Sequence, residues 1–221
     1  MWQLGSGIIQ DNTFPFFHLM TTSLLGDIKE ASALQDLCEK FSIDKAKVVT
    51  AEQVHGNVVA VVGSGLCGTQ VKGADGLITS EKGLPLAVFT ADCLPVFFGT
   101  KSKTAVGMVH AGWRGLAAGI IPEALGVFYR EFRVSPQDLI VAIGPHIQRC
   151  CYTVGKELKD AFNLSVKDTK FDLAGEVARQ LSERVTDYII HNFQCTAHEK
   201  EMFFSYRRDK TKKRMLSLIK L

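Results

Sequence analysis

Short apolar runs ending at Gly or Pro punctuate this sequence, and they constrain its fold more than any other feature. Residues 48–50, 58–62, 86–89, 96–98, 105–110 and 139–143 are rich in β-branched and aromatic side chains. They are too short for helices, so each is expected as a strand. Asp75-Gly76 in KGADGLIT (72–79) signals a turn before another short extended segment. Helical spacing falls between and after these runs, over 115–132 (weakened at its start by Gly119 and Pro122), 156–162 and 173–193. In 173–193 one stripe holds Leu173, Val177, Leu181, Val185, Tyr188 and Ile189, with Asp172 as the N-cap. Residues 202–205 and 215–219 read as two strands around a basic turn. Strands and helices intermix throughout, which predicts a layered α/β (α+β) fold around a mixed sheet.

At 221 residues the chain can bury a sizeable core, and one unit spanning 1–221 is expected. Its 26 basic and 23 acidic residues nearly cancel, which argues against a nucleic-acid or membrane-surface partner. The basic run YRRDKTKKR (206–214) reads as a solvated loop or hairpin. The first residues, MWQLGSGIIQDNTF, lack the basic and apolar regions of a signal peptide. No window approaches the apolar length of a membrane span. Six cysteines in such a chain read as thiols of a reducing compartment, so the cytoplasm is expected.

Three side chains stand out for chemistry: His55 in QVHG, Cys93 in TADCLP and His110 in VHAGWRG. Two imidazoles and a thiol suit zinc, and three protein ligands leave a fourth position open. Their separations, 38 and 17 residues, match no zinc finger, so only the fold can unite them. Cys93 lies at a strand end, where it could be a ligand, a nucleophile activated by a histidine, or inert filler. Asp92 beside it could orient a histidine ligand. His110 ends a strand, and Ala111-Gly112 lets the chain turn tightly into a helix whose N-terminus, with Arg114, could hold an anion. QVHG in isolation reads as an ordinary loop histidine. IGPHIQRCCY (143–152) places His146 at a turn as a possible pocket wall. Cys150 and Cys151 are adjacent, poor geometry for one metal, and read as packing residues. Cys38, Cys67, Cys195, His18, His191 and His198 carry no motif and read as structural.

Taken together, QVHG, ADGLIT, TADCLPVFF, VHAGWRGLAAGI, IGP, CYTVG and FFSYRRD resemble the YfiH-type laccase-domain family. This family is also called multicopper polyphenol oxidase-like or peptidoglycan editing factor. The motifs stand in the family's order and cover about residues 48–220, while 1–47 diverges. The resemblance implies a three-layer α/β/α sandwich similar to the cytotoxic-necrotising-factor catalytic domain. It also implies a zinc site made by His55, Cys93 and His110. Its activity would be phosphorolysis of adenosine, inosine and methylthioadenosine, with adenosine deamination. Purine nucleoside and phosphate would be the small-molecule partners, and Asp92, Arg114, His146 and Arg207 the supporting residues. An alternative is a cysteine- or metal-dependent hydrolase editing peptidoglycan precursors, with Cys93 as nucleophile and His110 as base. A third reading is non-catalytic, the metal stabilising a protein that acts through a partner. Copper is possible at such a site, but a copper polyphenol oxidase needs many histidines and this chain has six. The family's N-terminal Gly-Gly-Val-Ser and Asn-Arg segments have no counterpart in 16–38, where Lys29 is the candidate replacement for an arginine. The sequence gives no signal of oligomeric state.

Overall fold

Strands that are apolar at every position must be covered on both faces, and the layering of this chain follows from that requirement. The structure is a computed structural model and describes residues 2–181, 184–185, 187–190 and 194–221. The chain opens with β1 (Trp2–Gly5), β2 (Ile8–Asp11), β3 (Phe17–Thr21) and α1 (Ala31–Lys40). There follow β4 (Val49–Ala51), β5 (Val59–Val61), β6 (Gln70–Val71), β7 (Gly76–Thr79), β8 (Leu86–Thr90), β9 (Leu94–Thr100) and β10 (Val106–Ala111). The second half holds α2 (Trp113–Ala117), α3 (Ile120–Phe132), β11 (Leu139–Ile143), α4 (Lys156–Ala161), α5 (Leu173–Leu181), β12 (Asp187–Ile190), α6 (Tyr206–Asp209) and β13 (Met215–Lys220).

The mixed α/β class is as the sequence predicts, but the strands divide between two mixed sheets. One has the order β1-β2-β3-β13-β8-β4-β6, the other β12-β11-β9-β10-β7-β5. Alternation along β8 explains the packing. Leu86 and Val88, with Met215 and Ile219 of β13, face the second sheet and pack on its Phe97, Met108 and Ala142. Ala87 faces the other way, with Leu216 and Leu218, onto Leu37 and Cys38 of α1. The outer face of the second sheet (Val96, Phe98, Val109, Val141) is covered by Leu125 and Phe128 of α3 and Val177 and Leu181 of α5. Both sheets are thus sandwiched, giving an α/β/β/α stack. Among the described residues no helix is long and apolar enough to cross a membrane.

The differences from the sequence reading have local causes. The expected helix over 173–193 starts as predicted, Asp172 capping it through a 2.9 Å bond from Gly175 N–H, and α5 is described from Leu173 to Leu181. Asp187–Ile190 instead pairs in parallel with β11, while 182–183, 186 and 191–193 lie outside the described residues. The apolar stripe is shared by both periodicities, and sheet pairing wins there. The pattern over 115–132 divides into α2 and α3 at Gly119, whose φ of 83° breaks the helix. Residues 202–205 form no strand; the Ser205 side chain caps α6 by accepting from Arg208 N–H. The loop after α6 leads into β13, which pairs with β3 and β8.

Chain order now places the chemistry. β8 belongs to one sheet and β9 to the other, so residues 91–93 carry the chain across the seam between them. Asp92 takes a φ of 99° in doing so. The seam depends on Phe97, fully buried against the rings of Phe14 and His18 at 6.4 and 5.5 Å. Phe97→Ala should cost about 3–5 kcal/mol, measured as a lower urea midpoint at unchanged m-value.

Candidate metal centre

Three distant segments end at one point of this seam. His55 lies in the loop after β4, Cys93 in the crossing from β8 to β9, and His110 near the end of β10. Their donor atoms all lie within 4.8 Å of one another. The two imidazoles meet edge to face, with centroids 4.9 Å apart. His110 is buried, Cys93 half-buried and His55 exposed, so the group is covered below and open above. Two imidazole nitrogens and a thiol around an open side are a donor set that fits a single borderline-soft ion.

The residue that builds this geometry is Asp75, which the sequence reading treated only as part of a turn. Its carboxylate is completely buried. It accepts from the backbone N–H groups of Val54 (3.1 Å), His55 (3.0 Å) and Gly56 (2.7 Å). It also pairs with His110 Nδ1 at 2.8 Å, leaving Nε2 to face a ligand. His55 sits at a φ of 62° and Gln53 at 63°, left-handed conformations that cost energy in non-glycine residues. The carboxylate supplies the hydrogen bonds that hold them. Gln53 adds a second anchor, bonding both N–H and C=O of Phe89 through its side-chain amide. The signal available in the sequence was a carboxylate embedded in an apolar stretch, ADGLIT, with no basic neighbour inside the motif.

Electrostatics follow from this frame. Burial pushes the Cys93 thiol up, but His110 and His55 beside it outweigh burial and bring it down to about 6. Burial likewise pushes His110 down, yet Cys93 and Asp75 hold it up, at about 9. Each member of the pair thus favours the charged form of the other. Burial also opposes charge on Asp75, but the bonds from His110, Gly56 and His55 leave its carboxyl below the usual range. The stability it lends is present above about pH 4 and is lost as pH falls through its lowered value. Gly112 forms part of the floor: a Cβ there would lie 3.1 Å from His55 Cδ2 and 3.2 Å from Cys93 Sγ. Its φ of −82° is ordinary, so closeness rather than conformation requires glycine.

The trio opens into a cavity of about 1000 Å³. Five basic side chains line it (Lys29, Arg114, Arg207, Lys210, Arg214), against two acidic ones, Glu52 and Asp92. Four aromatics join them: Phe89, Trp113, Tyr152 and Tyr206. Asp92 is committed to structure, since its carboxylate accepts from Thr196 Oγ1 (2.7 Å) and Arg207 N–H (2.6 Å). Arg114 lies over the Trp113 ring and pairs with Glu157 at 3.0 Å. Arg207 lies over the Tyr152 ring at 4.9 Å and donates to the Thr153 carbonyl. His146 is buried outside the cavity lining, with Nδ1 2.9 Å from the Gly144 carbonyl. The helix after Gly112 has only five residues, too short for much dipole, so anion affinity rests on the side chains. The run 206–214 is thus partly cavity wall, through Tyr206, Arg207, Lys210 and Arg214, and not only solvated loop.

With fold and site in view, the chain belongs to the family described as multi-copper polyphenol oxidoreductase laccase, which matches residues 22–221. Its relatives in that family carry more specific names. It is 35% identical over 209 residues to purine nucleoside phosphorylase YlmD of Geobacillus stearothermophilus, covering 83% of this chain and 75% of that protein. It is 37% identical over 188 residues to purine nucleoside phosphorylase YfiH of Escherichia coli strain K12, covering 79% and 74%. Among solved structures, the hypothetical protein YfiH of Bacillus licheniformis matches with a TM-score of 0.92 at 26% identity, over 100% of this chain and 98% of that one. YlmD of Geobacillus stearothermophilus matches with a TM-score of 0.88 at 29% identity, over 99% and 98%.

Two outcomes test this geometry. Asp75→Asn should weaken metal binding by about 10- to 100-fold, read by chelator competition on folded protein. In metal-stripped protein, iodoacetamide should label Cys93 well below the pH range of ordinary thiols, and added zinc should suppress that labelling, as mapped by mass spectrometry.

Proposed function

We propose that this chain is a zinc-dependent purine nucleoside phosphorylase acting on adenosine, inosine and methylthioadenosine, with adenosine deamination as a second activity of the same site. The observation that carries this reading is the ligand trio opening into a cavity that is both cationic and aromatic. A nucleoside and phosphate need both properties. The purine presents flat π faces that suit Phe89, Trp113, Tyr152 and Tyr206, while phosphate needs positive charge and donors. The names of the relatives support the same class.

His55, Cys93 and His110 would hold the ion, and Asp75 would fix the His110 tautomer and ring. When bound, the ion supplies Lewis acidity toward a polar atom of the substrate. The chain's own residues account for the rest. In phosphorolysis a phosphate oxygen bonds to C1′ of the ribose as the C1′–N9 bond breaks, and the base leaves with that electron pair and takes up a proton. Arg114 and Arg207, each already stacked on a cavity ring, neutralise the phosphate where it must approach. Lys29, Lys210 and Arg214 extend the positive wall. Asp92 acts at one remove: by accepting Arg207 N–H and Thr196 Oγ1 it ties the Arg207 turn to the Cys93 segment.

Histidine placement argues against a multicopper centre. Of the described histidines, His55 and His110 meet in the cavity, whereas His18 is buried against Phe97, His146 lies outside the cavity lining, and His198 sits in a separate cluster. The lowered thiol of Cys93 beside His110 favours a second reading, a cysteine-dependent hydrolase of peptidoglycan precursors. The two separate cleanly, because the hydrolase should survive chelation and the phosphorylase should not.

Zinc-loaded protein given adenosine should release adenine only when phosphate is present, and inosine without it, both resolved chromatographically. His55→Ala should lower kcat/KM by more than about 100-fold, and Arg114→Ala should raise KM for phosphate about tenfold. Neither product from zinc-replete protein would overturn the proposal.

A further inference from the structure

A second cluster of soft donors lies apart from the cavity trio. The sequence offers Cys150 and Cys151 as packing residues and Cys195 and His198 as motif-free, but folding collects all four. Their ligand atoms lie within 4.8 Å of one another. Cys150 Sγ and Cys151 Sγ are 3.7 Å apart. His198 Nδ1 lies 3.5 Å from the first sulfur and 3.6 Å from the second. These are the edges of a coordination tetrahedron: Zn–S and Zn–N bonds of about 2.3 and 2.05 Å imply S···S near 3.8 Å and S···N near 3.6 Å. All six cysteines are free thiols, so no disulfide uses these sulfurs.

We infer that Cys150, Cys151, Cys195 and His198 form a second, structural zinc site of the Cys₃His type. Four protein donors close the coordination sphere, which marks a structural rather than a catalytic ion. The backbone is arranged for it. Cys195 and His198 are separated by two residues on a turn whose N–H groups at His198 and Glu199 both bond the Cys195 carbonyl at 3.0 Å. Cys150 and Cys151 sit on an opposing turn, where Cys151 and Tyr152 N–H bond the Gln148 carbonyl. The Gln148 N–H points at Cys195 Sγ at 3.4 Å, the outer-sphere donor that a metal thiolate favours. Three thiolates around a divalent ion leave one negative charge, and Lys170 Nζ lies on the Cys150 carbonyl at 2.8 Å to offset it. Adjacency of Cys150 and Cys151 is no obstacle, because the turn splays their sulfurs to the spacing that one ion requires.

The site has a purpose beyond its own ligands. Tyr152, which follows Cys151, lines the substrate cavity. Thr196, which follows Cys195, bonds Asp92 beside Cys93. Closing the cluster with an ion therefore clamps residues 148–152 to 195–198 and stiffens one wall of that cavity.

The test counts metal and spectra, so its failure is separable from failure of the proposed activity. Full-length protein purified with zinc should contain two equivalents per chain. His55→Ala should keep one, His198→Ala should keep one, and the double variant none. Replacement by cobalt should give the intense sulfur-to-metal charge-transfer band of several thiolates. That band should persist in His55→Ala and fall in Cys195→Ser. Should Cys195→Ser not fold, the exposed His198→Ala carries the same comparison. A single equivalent that disappears with His55→Ala and is untouched by His198→Ala would overturn the inference. So would a disulfide mapped within the cluster in protein purified under reducing conditions.

Discussion

The whole centre hangs on one buried carboxylate. An ionised Asp75 with no exposure would be very costly unless its lone pairs were filled. Three backbone N–H groups and the His110 imidazole fill them. The same four bonds do two jobs at once. They hold the QVHG loop in a left-handed shape it would not otherwise adopt, and they choose the ring nitrogen that His110 presents. Ligand placement and ligand protonation are thereby one structural fact. The carboxylate can serve both because β7 and β10 pair directly, with Gly76 opposite Val109, which brings the residues preceding and following that pair side by side.

Around this point the two sheets supply rigidity and the seam supplies access. His110 comes from a strand buried throughout its length, so its backbone has little freedom. Cys93 comes from the only stretch between β8 and β9, held by Asp92 to Thr196 and Arg207 and by the Asp92 carbonyl to Ile147 N–H. His55, from a loop, is the most exposed of the three and depends most on Asp75. A donor set drawn from a strand, a crossing and a loop is rigid on one side and open on the other, the form a metal centre open to substrate would require.

How far the sequence foretold this follows physical lines. The central strands were readable because burial on both faces leaves continuous apolar runs, and β7, β8, β9, β10 and β11 fall where those runs lie, while β4 and the edge strand β5, only partly buried, were readable from their β-branched residues. The trio was readable because Cys and His beside glycine are chemically conspicuous. Asp75 was not, because a buried carboxylate looks the same in sequence as one in a solvated turn. Of the first strands, β3 is fixed by pairing with β13, the last strand, and β2 and β1 by adding outside it. α1 packs on the outer face through Leu34, Leu37 and Cys38, with Phe41 just after it, a helical spacing that the sequence reading passed over. The division into two sheets was equally invisible, since nothing in LAVFTADCLPVFF says that the chain changes sheets at residue 92. The fate of 187–190 was decided by a vacant edge of β11, a tertiary fact that overrode a good helical stripe.

The cavity's two kinds of residue come from different parts of the chain. Gln53, His55, Cys93 and His110 all lie in its middle, on or beside the paired strands. Lys29 and Leu34 come from near its beginning, and Tyr206, Arg207, Lys210 and Arg214 from near its end. These outlying segments sit mostly on loops and short helices, where insertion or replacement disturbs little packing. The molecule is thus modular around this cavity, with a hearth held by the paired strands and a surround carried on loops and short helices. Altering the surround would reshape the cavity while leaving the hearth intact, since Lys29, Tyr206, Arg207, Lys210 and Arg214 line the cavity without holding the trio.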